Sequence, residues 1–123
     1  MQPMIQKKSY NSVKVFWLNK ELLQRRIKEA VKNLVLDYSE LKKVILFGSV
    51  ADKKETPLSD ADILIIVDDS TLQFSERALP FRKYFQGIGL GVDIFVYTCK
   101  EVEEERIPVV NSALKKGKVL FER

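Results

Sequence analysis

The 123-residue chain contains no histidine, and that single absence removes several chemistries at once. Zinc-hydrolase sites, Ser-His-Asp triads and imidazole general bases all depend on a side chain that is not there. Cysteine is almost as scarce. Cys99 stands alone, so no internal disulfide can form and a reducing compartment fits. With no histidine to activate it, this thiol reads as a small packing residue. No apolar run reaches the roughly 18 residues of a membrane span, and the N-terminus lacks the apolar core of a signal peptide. A cytoplasmic location without membrane association is expected. Internal repeats and low-complexity segments are also missing.

The charge present is balanced: 21 basic against 17 acidic residues give a net +4. The basic residues are spread along the chain, and none of their runs is interleaved with aromatics as a nucleic-acid face usually is. They read as solvated surface. A chain of this length is expected to form one domain with a modest core and no second lobe.

Along the chain, residues 1–12 are polar and read as a flexible N-terminal arm, followed by a single domain over 13–123. Val13 to Leu18 is β-branched and aromatic, and predicts an edge strand. Asn19 is a reasonable N-cap for a helix to about Asp37, with Leu23, Ile27, Ala30, Leu34 and Tyr38 as its apolar stripe. Lys20, Arg25, Lys28 and Lys32 fall largely on the solvated side. Pro80 starts a turn carrying Phe81, Tyr84 and Phe85, aromatics that, with Val13 to Leu18, suggest an interface. The glycines of GIGLG (87–91) precede a strand instead of following one, so they form a turn and not a dinucleotide fingerprint. Thr98 and Glu101 make a capping box for the next helix, Pro108 interrupts it, Gly117 stops it, and Lys118 to Phe121 predicts a last edge strand. The fold class is α+β: a small mixed sheet with helices packed mainly on one face.

Chemistry concentrates between Val44 and Val67. An apolar strand ends in Gly48-Ser49, a polar loop follows, and Asp60-Ala61-Asp62 enters a second apolar strand. Side chains two apart on a strand share a face, so Asp60 and Asp62 can aim both carboxylates at one point. Carboxylates held that close repel unless a cation lies between them, and hard oxygen ligands suit Mg²⁺. Asp93, between apolar neighbours on a later strand, supplies a third acid. Gly48 allows close backbone approach and Ser49 offers a hydroxyl and an N–H. Lys53 and Lys54 in the loop could neutralise phosphate charge. The ten-residue link predicts an antiparallel pair. The longer crossover to the Asp93 strand predicts a parallel one, with Asp93 beside Asp62.

Gly48-Ser49, ten residues, then Asp60-x-Asp62 followed by ILIIV, with Asp93 on a later strand, resembles the DNA polymerase beta nucleotidyltransferase superfamily. The likeness is to its smallest branch, the minimal nucleotidyltransferases. It covers roughly residues 20 to 121, with Asp52-Lys53 standing where many members carry Arg-Gly. The resemblance implies a polymerase-beta-like palm and a metal-dependent transfer of a nucleoside monophosphate, such as AMP from ATP, to a hydroxyl. It implies Asp60, Asp62 and Asp93 as catalytic and metal residues for two Mg²⁺ ions, and Gly48 and Ser49 as phosphate ligands. A tyrosine of a HEPN-type partner in a toxin–antitoxin pair is the acceptor it suggests, with a homo-oligomer also open and a nucleic-acid template not expected. The alternative is a catalytically inactive nucleotide-binding antitoxin acting by contact alone.

Overall fold

The computed structural model describes the backbone of residues 5–10 and 13–18, and residues 20–48 and 61–123 in full. Strands β1 (Ile5–Tyr10) and β2 (Val13–Leu18) form a two-stranded antiparallel sheet. A second sheet has four strands in the order β5 (Val92–Thr98), β4 (Ala61–Val67), β3 (Leu41–Phe47) and β6 (Lys118–Glu122). Val13–Leu18 is therefore a strand as its composition predicts, but its partner is Ile5–Tyr10, where an irregular arm was expected. Pairing supplies the reason: IQKKSY has little strand preference alone, and its backbone groups are satisfied by the neighbouring strand.

Helix α1 (Lys20–Asp37) buries Leu23, Ile27, Ala30 and Leu34 of the predicted stripe, with Leu22 and Val31 widening it, while Tyr38, its last member, lies just past the helix end and is half-buried. Lys20, Arg25, Lys28 and Lys32 are exposed. The expected cap, Asn19, lies outside the described residues. The stripe packs on Ala61, Ile63, Ile65 and Val67 of β4 and on Val96 of β5. A bulge between Leu41 and Lys43 changes the parity of β3, so Leu41, Val44 and Leu46 all join this core.

Phe81 of α2 (Leu79–Arg82) and Phe85 of the following 3-10 turn belong to the same core. Phe81 meets Tyr38 edge to face with ring centroids 5.0 Å apart. These two rings are packing, so the predicted interface cannot rest on them; only Tyr84 of that trio is half-exposed.

The other face carries Ile45, Leu64 and Ile66, closed by Val110 and Ala113 of α4 (Pro108–Lys116) and flanked by Cys99 and Val102 of α3 (Cys99–Glu104). The α+β class and mixed sheet are as expected. The helices are divided between both faces, not gathered mainly on one. Central strand β4 is apolar on both sides, and each side needs cover.

Local signals hold at the helix ends. The capping box is present: the Glu101 N–H donates to the Thr98 hydroxyl, and the Thr98 N–H donates to the Glu101 carboxylate at 2.9 Å. Arg77 joins that carboxylate at 2.5 Å, tying the β4–α2 connection to α3. Burial works against ionising Glu101, but the Thr98 N–H and Arg77 outweigh it and hold its pKa below the usual value. A carboxylate lowered on folding stabilises above its unfolded pKa, and loses that contribution as pH falls through the folded value. Glu101→Gln should therefore lower stability at neutral pH and flatten the acid limb between about pH 5 and 3, read from urea midpoints across pH.

Gly117 ends α4 with φ −76°, an ordinary backbone angle. Its need for glycine is spatial: an added Cβ would run into the Ala113 carbonyl oxygen and the Ile45 side chain. A Cβ on Gly87 would meet nothing within 4 Å. Gly117→Ala should cost roughly 1–3 kcal/mol by overpacking. Gly87→Ala should be neutral or stabilise by up to about 1 kcal/mol through the unfolded state. Urea unfolding of the pair checks both.

Candidate active site

Three strands deliver their ends to one point of the sheet. Strand β3 runs into Gly48, antiparallel β4 leaves that end with Asp62, and parallel β5 enters beside it with Asp93. Asp62 lies opposite Phe47 on one side and opposite Asp93 on the other. Direct partners in a regular ladder project to the same face. The alternation agrees. Ala61 and Ile63 face the α1 core, whereas Leu64 and Ile66 of β4 and Phe95 and Tyr97 of β5 belong to the α4 side. Asp62 and Asp93 thus share the α4 face, on strands about 4.8 Å apart. Asp62 is half-buried and Asp93 exposed. Phe47 and Phe95, with ring centroids 5.7 Å apart, lie on the same face between the acids and the apolar cluster.

Gly48 is in a left-handed conformation, φ +78°, and an added Cβ would strike the Asp62 carboxylate. Both conditions demand glycine. The backbone at the end of β3 and the carboxylate at the start of β4 therefore occupy one tight corner. Glycine in the motif is explained by that corner.

Asp60, Ser49, Lys53 and Lys54 lie outside the described residues. Among the described residues no three acids, cysteines or histidines gather as a ligand cluster. The pair that is described suits a hard divalent cation: adjacent carboxylates offer oxygen donors on one face at a solvent-reachable edge. Asp68 and Asp69 are exposed at the opposite end of β4, Asp68 3.5 Å from Lys42, and belong to a solvated turn as expected. Burial pushes the Cys99 thiol above its usual pKa, which suits packing and not nucleophilic work.

One pair of side chains was not singled out in the sequence. Gly117 packs against Leu46, and Lys118 is its ladder partner, so the last turn of α4 ends beside the corner formed by Gly48. That turn carries Lys115 and Lys116, both exposed. Their relevance comes only from the β3–β6 pairing, a contact between segments some 70 positions apart.

The family model "Polymerase beta, Nucleotidyltransferase" matches residues 29–123, which include all three strands of the corner. The chain belongs to the polymerase beta nucleotidyltransferase family. A candidate protein adenylyltransferase of Methanocaldococcus jannaschii is 31% identical over 98 residues, covering 73% of this chain and 93% of that protein. In fold, this nucleotidyltransferase is similar to a candidate nucleotidyltransferase of Sulfolobus solfataricus. There the TM-score is 0.62 at 21% identity, covering 85% of this chain and 84% of that one. It is also similar to a chain of the complex of the tri-AMPylated Shewanella oneidensis HEPN toxin with its MNT antitoxin. That match has a TM-score of 0.55 at 19% identity, covering 85% and 73%. A toxin–antitoxin structure with AMP-PNP gives a TM-score of 0.59 at 20% identity, covering 86% and 75%. The α+β fold expected from the order of elements and the nucleotidyltransferase class implied by the resemblance therefore stand.

The corner makes its own prediction. Gly48→Ala forces a Cβ into the Asp62 carboxylate at a backbone angle that alanine resists. The nucleotidyltransferase should lose stability by about 1–3 kcal/mol. Asp62→Ala in the same background should recover part of that loss, because the collision partner is gone; thermal unfolding of both variants measures it.

Proposed function

We propose that this nucleotidyltransferase moves a nucleoside monophosphate, AMP from ATP, onto a hydroxyl, that of a tyrosine of a HEPN-type partner protein. The observation carrying this reading is the register pairing of Asp62 with Asp93 on one face, with Gly48 packed against the Asp62 carboxylate. The M. jannaschii relative named for protein adenylylation supports the reaction class, and the structural neighbours in toxin–antitoxin complexes support the kind of partner.

Asp62 and Asp93, joined by Asp60 as the sequence spacing suggests, would hold Mg²⁺ ions. Magnesium bound there supplies charge neutralisation for the triphosphate and acidifies the attacking hydroxyl. The protein's own contributions follow from the corner. Gly48 lets the backbone approach the terminal phosphates, and Ser49 offers its hydroxyl and N–H to them. Lys53 and Lys54 of the loop, and Lys115 and Lys116 at the end of α4, provide cations to meet the leaving pyrophosphate. Asp93 is exposed, so it can accept the proton of an arriving hydroxyl. As that oxygen bonds to the α-phosphorus in line, the bond to the pyrophosphate oxygen breaks. Each face of the reaction then has a named group.

Asp93→Asn should abolish AMP transfer, by at least about a thousandfold, while leaving nucleotide binding measurable. Asp60→Asn with Asp62→Asn should remove both. Calorimetry with a nonhydrolysable nucleotide and Mg²⁺, together with labelled-ATP transfer to the co-expressed genomic neighbour, separates the two effects. Wild type that binds no nucleotide, yet still neutralises its partner, would replace this reading by an antitoxin acting through contact alone.

A further inference from the structure

A groove of about 400 Å³ lies between α1 and the edge strand β6. Its floor is apolar, formed by Val31, Val35, Leu120 and Phe121. Leu36 stands at one end with 74% of its surface exposed, and Val119 lies along it at 49%. Lys28 and Lys32, one helical turn apart, line it from α1, and Lys118 lines it from β6. Lys118 donates to Gln24 at 3.5 Å, and Gln24, Lys28 and Lys32 follow one another at four-residue spacing along α1, so all three lysines rim the same groove. An exposed leucine beside an apolar floor, rimmed by cations with no acid in the lining, has a definite complement.

We propose that this groove receives an amphipathic helix of a partner protein. The helix would lay an apolar stripe along Leu36 and the floor, and set acidic side chains opposite Lys28, Lys32 and Lys118. Charge complementarity decides the sign of the flanks, and the apolar floor favours a polypeptide over a nucleic acid. The edge strand decides helix over strand. Between Val44 and Ile45 the ladder steps from Phe121 to Val119, leaving Leu120 as an extra residue. That bulge turns Leu120 and Phe121 toward the α1 core together and interrupts the edge that an added strand would need. The proposal is independent of the nucleotide reaction, since none of these residues is placed at the site.

The probe is a labelled synthetic helix of about four turns, with leucines at i, i+3, i+4 and i+7 and glutamates on both flanks. Its binding to the full chain is followed by fluorescence anisotropy. Saturable binding is expected, weakened at least about tenfold by Leu36→Glu and again by Lys28→Glu with Lys32→Glu. A charge-swapped helix, lysines replacing the glutamates, should bind the double-glutamate variant in preference to wild type. All three positions are exposed, so these variants should melt as wild type does. No binding of the acidic helix at about 1 mM would overturn the proposal, as would equal binding of a scrambled peptide of the same composition. A single-stranded oligonucleotide that displaces the helix and ignores Leu36→Glu would make the lysine row a polyanion surface instead. A dimer by light scattering that Leu36→Glu dissociates would assign the groove to a second copy.

Discussion

Parallel pairing of β4 with β5 is the constraint on which the candidate site depends. Side chains on a strand alternate, so a slip of one residue between these two strands would send Asp93 to the α1 face while Asp62 stayed on the α4 face. What prevents the slip is burial. Ile63 and Ile65 of β4 must enter one core, Leu64 and Ile66 the other, and Val96 of β5 must follow the first pair. Four large apolar side chains on a central strand fix the register far more strongly than two acids could oppose it. The geometry of the candidate site is therefore held by the hydrophobic core, and the two acids occupy a rim where the same alternation meets solvent.

Cover on both faces follows from the same strand. With α1 and α2 on one side and α3 and α4 on the other, the sheet leaves open its two ends and its edges. One end carries Gly48, Asp62 and Asp93 together with the last turn of α4, while the other carries the solvated Asp68–Asp69 turn and the Arg77–Glu101 tie. A long edge is left beside β6, where α1 overhangs and the groove forms. In a domain this small, function is assigned to whatever the core does not use.

Much of this was legible in the chain. The stripe of α1, the capping box at Thr98 and Glu101, the antiparallel β3–β4 pair and the parallel β4–β5 pair all follow from period, cap chemistry and connection length. Gly48-Ser49 and the spaced acids pointed to the candidate site. Less legible were features decided by distant contacts. Phe81 and Phe85 look like surface aromatics in a short polar turn, but Phe81 packs on Tyr38 just past α1 and Phe85 joins the same core. Ile5–Tyr10 has too little strand character to be read alone and takes its structure from Val13–Leu18.

The sequence by itself determined that this chain has no histidine and no internal disulfide chemistry, and that it is built on an apolar strand entered through spaced acids. Periodicity and composition carry that information locally. Tertiary structure alone decided that Asp62 and Asp93 are direct ladder partners, that Gly48 is required because a Cβ would strike Asp62, and that Gly117 is required by Ala113 and Ile45. It alone brought Lys115 and Lys116 to the end of the sheet that holds the acids. The reason is physical: strand register and close approach are set by packing between segments far apart in the chain, and no local pattern encodes a neighbour that arrives from elsewhere.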